Sequence, residues 1–230
     1  MKVAAIIPAR KGSKRIPKKN HHSIDGDYLI NKVIGNLENS KYISDIYITT
    51  DDLDLQNLIT SNQVKFLSRK SEFCDDYATV VDLVKSHFHE DLMSYDAIFQ
   101  TYIHAASIDS NTIDNAIERL FKSKKSFLIS MTKMNVPVEW TFKRRNEDLI
   151  PNFPGTQNIR SQDLGDSFID AGQFYAYKAE WFLENQKNDY ENSAYLEIKD
   201  YQSVDLDNPE DLETLEYSYK YAKTKIQGLS

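Results

Sequence analysis

Val3-Ala4-Ala5-Ile6-Ile7-Pro8 places a short, uninterrupted apolar run almost at the start of the chain, and proline ends it. A run of this length predicts a strand buried on both faces, as in a parallel sheet. Apolar side chains then recur at helical spacing over residues 29–37, and residues 46–50 have the β-branched and aromatic pattern of a second strand. The stretch therefore predicts a first β-loop-α-β unit.

The same alternation continues along the chain. It predicts helices at residues 53–61, 79–92 and 111–124, and strands at residues 64–67, 95–100 and 127–131. Strands that alternate with helices form a mostly parallel sheet covered on its faces. We expect an α/β fold of the Rossmann-like, three-layer αβα type, as one domain over residues 1–230.

The pattern weakens over residues 135–170, where prolines are scattered among polar side chains, and we expect a loop-rich insertion there. Strands are predicted again at residues 172–177 and 201–206. A closing helix is predicted at residues 209–226, with Asn208 as its N-cap and Pro209 at its first position.

The composition, the apolar runs and the cysteine count limit which classes of protein this chain can belong to. Of 230 residues, 40% are hydrophobic and 27% charged, which is ordinary for a globular chain. The apolar run near the start is too short for a signal h-region or a membrane span, so we expect a cytoplasmic protein without a membrane partner. Cys74 is the single cysteine, and we expect it to be a packing residue.

Basic charge is concentrated in the loop after the first strand. Six of the 28 Lys and Arg residues lie between Arg10 and Lys19, in a chain with 35 acidic residues. A basic loop on an acidic body favours a small polyanion over nucleic acid, which would need a broader basic face. Neither the dinucleotide nor the P-loop fingerprint is present, so side chains would have to hold the phosphates.

The residues of this loop resemble a known signature. Ile6-Ile7-Pro8-Ala9-Arg10-x-Gly12-Ser13-Lys14-x-Ile16-Pro17-x-Lys19-Asn20 is similar to the nucleotide-binding motif of the acylneuraminate cytidylyltransferases, the CMP-sialic acid synthetases. The resemblance implies a fold of the nucleotide-diphospho-sugar transferase type. It also implies a reaction in which the anomeric hydroxyl of an acidic sugar attacks the α-phosphate of CTP and pyrophosphate leaves.

Further segments support the resemblance over nearly the whole chain. Thr50-Asp51-Asp52 and Arg69 with Asp75-Asp76 are similar to two shorter family segments. Arg160-Ser161-Gln162-Asp163-Leu164, followed by Asp170-Ala171-Gly172-Gln173-Phe174-Tyr175, resembles the pseudaminic acid branch in particular. The predicted acceptor is therefore an acidic nine-carbon sugar, with pseudaminic acid favoured.

A third segment, Val204-Asp205-Leu206-Asp207, resembles the metal-binding end of the family. On the predicted strand, residues two apart share one side, so Asp205 and Asp207 would converge. Mg²⁺ is usually held by one or two carboxylates together with phosphate and water. The segment thus predicts a magnesium site, against the alternative that these acids only precede and cap the last helix.

The resemblance implies a role for each matching residue. Arg10, Lys14, Lys19 and Asp207 are assigned to catalysis, and Asp205 with Asp207 to the metal. CTP would be bound by Arg10, Gly12, Ser13, Lys14, Lys19, Asn20 and Arg69. The sugar would be bound by Gln100, Arg160, Gln162, Asp170 and Gln173, with Arg160 on its carboxylate.

Some matches fail, and these leave alternatives open. Where the family usually reads Gln or Tyr followed by Pro-Thr-Ser/Ala-Pro, this chain reads Gln100-Thr101-Tyr102-Ile103-His104 and lacks both prolines, and Tyr175-Ala176-Tyr177 replaces the branch's Tyr-Trp-Gly. The acceptor could thus be sialic, legionaminic or 3-deoxy-octulosonic acid, or the chain could bind sugar nucleotides without catalysis. His104 is either a general base or structural. Residues 135–170 are a candidate for a homodimer contact or for a lid.

Overall fold

The computed structural model describes residues 1–13, 15–68, 94–185 and 188–227. The predicted helix at residues 79–92, and also Cys74, Lys14 and Arg69, lie outside these ranges. Among the described residues, no helix is long and apolar enough to cross a membrane.

A seven-stranded sheet forms the centre of the protein, in the order β11-β7-β10-β6-β1-β4-β5. Its strands are β1 (Val3–Pro8), β4 (Ile43–Thr50), β5 (Val64–Ser68), β6 (Ala97–Thr101), β7 (Phe127–Lys133), β10 (Phe168–Lys178) and β11 (Ala194–Glu197). Neighbouring strands are parallel except β10, which runs antiparallel to both β6 and β7. Two small hairpins complete the strands, β2 (Ser23–Ile24) with β3 (Asp27–Tyr28) and β8 (Phe142–Arg145) with β9 (Asp148–Pro151).

Helices pack on both faces of this sheet. They are α1 (Leu29–Glu38), α2 (Ser110–Lys122), α3 (Ala179–Glu184) and α4 (Asp211–Gln227). Alternate residues of β1 point into two separate apolar clusters, one with α1, α2 and α4 and the other with Phe182 of α3. A strand with both faces buried must be apolar throughout, which explains the opening run. The predicted three-layer, mostly parallel α/β fold is confirmed.

Several local predictions were wrong. Residues 201–206 form no strand, because a 3-10 helix covers Asp200–Gln202 and the chain then turns irregularly towards α4. The last strand of the sheet is instead β11, which the sequence analysis missed. The helix predicted at residues 53–61 is a 3-10 helix over Leu53–Leu58, and α4 begins at Asp211 rather than Pro209.

The predicted loop-rich insertion is more ordered than expected. Residues 135–170 contain the β8–β9 hairpin and two 3-10 turns, and β10 begins within them at Phe168. The hairpin is exposed along most of its length, so its side chains give little of the apolar alternation by which buried strands are recognised.

Candidate active site

The turn after β1 is fixed by its neighbour in the sheet. The Ala9 amide donates to the carbonyl of Thr49 at 2.9 Å, and the buried Thr50 hydroxyl donates to the Ala9 carbonyl at 2.6 Å. The Lys11 amide donates to the Asp51 carboxylate at 2.7 Å. The segment similar to the family's Thr-Asp-Asp motif therefore supports the basic turn.

The far end of this turn is also anchored. Ile16 is buried in the core, and Lys18 adopts a left-handed backbone at φ 53°. The side-chain amide of Asn20, itself buried, donates to the Arg10 carbonyl at 2.8 Å and closes the turn. No described atom would meet a Cβ at Gly12, and its assignment to CTP binding stays a prediction.

Asp205 and Asp207 lie on the turn before α4, on either side of the buried Leu206. The Asp205 carboxylate accepts from the Leu206 amide at 2.6 Å. The Asp211 carboxylate accepts from the amides of Asp207 and Asn208 at 2.8 and 2.7 Å, and these bonds lower the pKa of Asp211. Backbone hydrogen bonds, rather than the expected strand alternation, hold this acidic turn.

The basic turn and the acidic turn meet. The Lys19 ammonium donates to the Leu206 carbonyl at 2.5 Å, and the Arg15 guanidinium lies 2.6 Å from the Asp207 carboxylate. Burial lowers the pKa of Lys19, while the charges of Asp205 and Asp207 oppose that effect. Groups separated by almost the whole chain are thus in contact, and the structure brings together the two segments that the sequence analysis expected to meet.

A cleft of about 480 Å³ opens between these turns and the end of β6. Its lining residues are Pro8, Arg10, Ser13, Arg15, Lys19, Asn20, Tyr102, Ile103, His104 and Leu206. We call residues 8–13 and 15–20, together with residues 205–207, the basic side of the cleft. Residues 100–104 with residues 170–175 form the aromatic side.

The aromatic side is a connected network. The Gln100 side-chain amide donates to the Tyr102 hydroxyl at 2.8 Å, and the Tyr102 ring stacks on His104 with centroids 5.3 Å apart. The Tyr175 hydroxyl donates to the Asp170 carboxylate at 2.7 Å, and its ring meets Tyr102 edge-on. The structure therefore brings Gln100 and Asp170 into one network.

Gln173 is almost fully buried in the irregular part of β10. Its amide nitrogen donates to the carbonyls of Ala171 and Val204 at 3.1 and 3.2 Å. This geometry favours a role in holding the acidic turn against β10, rather than the direct sugar contact that we predicted from the sequence.

His104 is buried beside Asp205. Its Nε2 lies 3.1 Å from the Gly172 carbonyl and 3.5 Å from the Asp205 carboxylate, and burial lowers its pKa. A neutral imidazole that donates from Nε2 to a carbonyl cannot accept a proton at that nitrogen. Of the two predicted roles for His104, this arrangement favours the structural one.

Arg160 and Gln162 are exposed and are not among the described residues that line the cleft. The Arg160 guanidinium pairs with Asp163 at 2.9 Å, and 72% of its side chain is exposed. The structure does not bring these two predicted sugar-binding residues to the other members of the site.

The family of this chain follows from its similarity to known protein sequences. The sequence model described as Cytidylyltransferase matches residues 4–219. The chain belongs to the cytidylyltransferase family. It is therefore a nucleotidyltransferase, and the predicted resemblance and enzyme class are confirmed.

Relatives of this cytidylyltransferase include enzymes with different acidic sugars in their names. The pseudaminic acid cytidylyltransferase of Campylobacter jejuni is 30% identical over 226 residues, which cover 96% of this chain and 97% of the relative. The N-acylneuraminate cytidylyltransferase A of Danio rerio is 24% identical, over 89% of this chain and 48% of the relative.

Solved structures agree on the fold. A CMP:2-keto-3-deoxy-manno-octonic acid synthetase complexed with CTP superposes with a TM-score of 0.69 at 16% identity, over 99% of this chain and all of the other. A 4-diphosphocytidyl-2C-methyl-D-erythritol synthase from Anaerococcus prevotii superposes with a TM-score of 0.61 at 14% identity, over 96% of each chain.

Asp205 and Asp207 could supply some, but not all, of the ligands that a magnesium ion needs. The Asp205 and Asp207 side chains are 53% and 44% exposed, and each lies beside a residue that lines the cleft, His104 for Asp205 and Arg15 for Asp207. Within the described ranges no group of three or more acidic, His or Cys side chains is placed to hold a metal. Two carboxylates are the number that Mg²⁺ commonly uses when phosphate and water supply the other ligands.

Two residues that line the cleft, Arg15 and Tyr102, received no predicted role from the sequence. Arg15 belongs to the basic run but is not part of the quoted signature, and only its contact with Asp207 marks it. Tyr102 lies in the loop where the family pattern fails. The mismatch with the family pattern was therefore the sequence signal that distinguished Tyr102.

Proposed function

We propose that this cytidylyltransferase transfers CMP from CTP to an acidic nine-carbon sugar, with pseudaminic acid as the favoured acceptor, and releases pyrophosphate. One observation supports it most strongly: the basic turn, residues 10–13 and 15–20, contacts the acidic turn at the cleft, through the Lys19 bond to Leu206 and the Arg15 ion pair with Asp207. A triphosphate with a divalent ion requires both kinds of charge in one place.

On the basic side, cations would neutralise the triphosphate and Asn20 would fix the nucleotide. Arg10 and Lys19 line the cleft, and Ser13 lies beside them with its hydroxyl close to the turn's own backbone. Gly12 lies between these residues in the turn. We also propose that Lys14 and Arg69 contact CTP, and only the family motif supports these two assignments.

In the reaction, the sugar's anomeric oxygen forms a bond to the α-phosphorus while the bond from that phosphorus to the β-phosphate's bridging oxygen breaks. The sugar hydroxyl loses its proton, and pyrophosphate carries away the electron pair. Lys19 and Arg10 would stabilise the charge that grows on the phosphoryl oxygens. Magnesium, held by Asp205 and Asp207, would supply a Lewis acid for the same charge.

Arg15 has to change partner in this scheme. Its guanidinium pairs with Asp207, one of the two carboxylates that we assign to the metal. Because 66% of the Arg15 side chain is exposed, little holds it there, and a phosphate could replace the carboxylate as its partner.

The choice of sugar rests on the aromatic side and on the relatives. Gln100 and Asp170 belong to the network beside the cleft, whereas Arg160 and Gln162 would reach a sugar only if residues 160–163 moved towards it. The Campylobacter relative's name favours pseudaminic acid. Sialic, legionaminic and 3-deoxy-octulosonic acids remain the competing acceptors.

Turnover with each acidic sugar tests the proposal. The protein is incubated with CTP, Mg²⁺ and one sugar at a time, and pyrophosphate release is measured. We expect the highest kcat/KM with pseudaminic acid. A higher kcat/KM with another sugar would reassign the acceptor, and tight CTP binding without pyrophosphate from any sugar would favour the non-catalytic alternative.

We also propose that two copies associate through residues 135–170. The β8–β9 hairpin and the turns beside it expose Phe142, Leu149, Ile150 and Phe153. Large apolar side chains exposed together are typical of an interaction surface. Light scattering of the wild-type protein should give the mass of a dimer. The Leu149→Lys variant should have a mass closer to that of the monomer. A monomeric wild-type protein would refute the proposed association.

A further inference from the structure

Tyr102 occupies a position that the resembled family does not fill with an aromatic residue. Where the family reads Pro-Thr-Ser/Ala-Pro, this chain reads Thr101-Tyr102-Ile103-His104, at the end of β6 and in the loop that follows it. Tyr102 is half-buried and lines the cleft beside Lys19 and Asn20. The departure from the family pattern therefore places a phenol in the cleft to which we assign the substrates.

The ring of Tyr102 is held from two directions. One face stacks on His104 at 5.3 Å with the planes 7° apart, and the edge-on contact with Tyr175 has centroids 6.4 Å apart at 84°. His104 is fixed in turn by the Gly172 carbonyl, and Tyr175 by Asp170. Since its neighbours are themselves hydrogen-bonded, Tyr102 presents its hydroxyl in one orientation, which favours selective recognition.

The hydrogen bond from Gln100 decides what this hydroxyl can do. An amide nitrogen only donates, so the bond at 2.8 Å makes the Tyr102 oxygen an acceptor. In the part of the chain that the structure describes, no residue accepts the phenolic proton. The proton is therefore available to an acceptor on a ligand in the cleft.

The surrounding charges select the kind of acceptor. Burial first, and then the carboxylates of Asp170 and Asp205, raise the pKa of Tyr102 to about 12, so the phenol stays protonated in neutral solution. The charge of Asp170, which no metal is assigned to neutralise, disfavours a carboxylate or phosphate of the ligand at this point. A neutral acceptor, such as an amide carbonyl, meets no such repulsion.

We propose that the Tyr102 hydroxyl donates to the carbonyl oxygen of an acylamino group on the acidic sugar. Tyr102 is then the residue that distinguishes acylamino sugars from acidic sugars without one. Gln100 acts through it as a positioning residue. The inference rests on the proposed function, because it assumes that an acidic sugar occupies this side of the cleft.

The test compares wild type with Tyr102→Phe, which keeps the ring and its stack and removes only the hydroxyl. Pyrophosphate release is measured with two acceptors, pseudaminic acid, which carries acylamino groups, and 3-deoxy-octulosonic acid, which carries none. Tyr217→Phe is the matched control, because that tyrosine is 74% exposed on α4. The KM for CTP is measured in every case.

We expect Tyr102→Phe to lower kcat/KM for pseudaminic acid about tenfold, the effect of one lost neutral hydrogen bond. The value for 3-deoxy-octulosonic acid and the KM for CTP should stay within twofold of wild type. Tyr217→Phe should change none of them.

Two results would overturn the inference and leave the proposed function unaffected. One is a kcat/KM for pseudaminic acid that is the same in Tyr102→Phe as in wild type. The other is a loss in Tyr102→Phe that changes the KM for CTP or lowers kcat/KM equally for both sugars. An equal loss would show that the hydroxyl only supports the loop. A wild-type protein inactive with every acidic sugar would instead refute the proposed function, and this inference with it.

Discussion

The basic and aromatic sides of the cleft are built in different ways. On the basic side, side chains donate to backbone carbonyls, from Lys19 to the distant Leu206 and from Asn20 to Arg10 within the turn. On the aromatic side, side chains contact one another, through the Gln100–Tyr102 hydrogen bond and the edge-on rings of Tyr102 and Tyr175. Under the proposed function, the first arrangement would position the charged substrate, whereas the second could vary without moving that charge.

The difference matches where the sequence follows its family and where it departs from it. The signature from Ile6 to Asn20 is nearly complete, but the residues that follow Gln100 are not the family's. We therefore expect substitutions on the basic side to affect the reaction with every sugar, and substitutions on the aromatic side to affect the choice of sugar.

Asp207→Asn should have the largest effect. Losing one of two carboxylates assigned to the metal removes stabilisation of the transferred phosphoryl group, and kcat should fall by at least about 1000-fold. Pyrophosphate release measures it, with the exposed Glu210→Gln as a control. A rate near that of wild type in magnesium would remove Asp207 from the site.

Lys19→Met should reduce kcat/KM for CTP by about 100-fold, because it removes a charge aimed at the phosphates and also the bond to Leu206. The loss should be the same with each acidic sugar. Lys124→Met, at an exposed lysine between α2 and β7, should be silent. A loss confined to one sugar would contradict the assignment of Lys19 to the basic side.

Arg160→Ala should raise the sugar's KM about tenfold if its guanidinium binds the sugar carboxylate, since a charge-assisted hydrogen bond is lost. The KM for CTP should not change. Asp163→Ala provides the comparison, because it removes the partner that holds Arg160 in the structure without touching Arg160 itself. Equal changes in both KM values would argue against the carboxylate role.

Thr50→Val should have the smallest effect on catalysis and a clear effect on stability. It leaves the Ala9 carbonyl and the Asp52 amide without their hydroxyl partner, which should cost about 1–3 kcal/mol of unfolding free energy. Chemical denaturation measures this loss. Thr50→Ser restores the hydroxyl and should restore stability; if it does not, the hydrogen bonds are not the cause.

The strongest sequence signals came from residues buried on all sides. Val3 to Ile7 has both faces in the core, and α2 has a clear apolar stripe, so the sequence located both elements. Strand β11 lies at the sheet edge with Tyr195 and Glu197 exposed, and four residues there give almost no pattern. Apolar content, rather than position in the sheet alone, decided which elements were predictable, because the other edge strand, β5, was predicted from Val64, Phe66 and Leu67.

The acidic turn shows how residues can be expected near one another for a wrong structural reason. Val204 and Leu206 alternate with polar residues and resemble a strand, but both are apolar because they pack on the core beside α4. Asp205 and Asp207 both lie close enough to Lys19 to influence its pKa, in a turn held by amide bonds to the Asp205 and Asp211 carboxylates. Periodicity cannot reveal such contacts, since they depend on side-chain geometry.

Magnesium-dependent binding of CTP tests the central claim most directly, that the basic turn and the Asp205–Asp207 carboxylates hold one metal–triphosphate complex. Calorimetric titration with and without magnesium should show that the ion strengthens CTP binding to wild type. It should not do so in the Asp205→Asn, Asp207→Asn double variant, which should still bind CTP through its cations. Full magnesium dependence in the double variant would contradict the account.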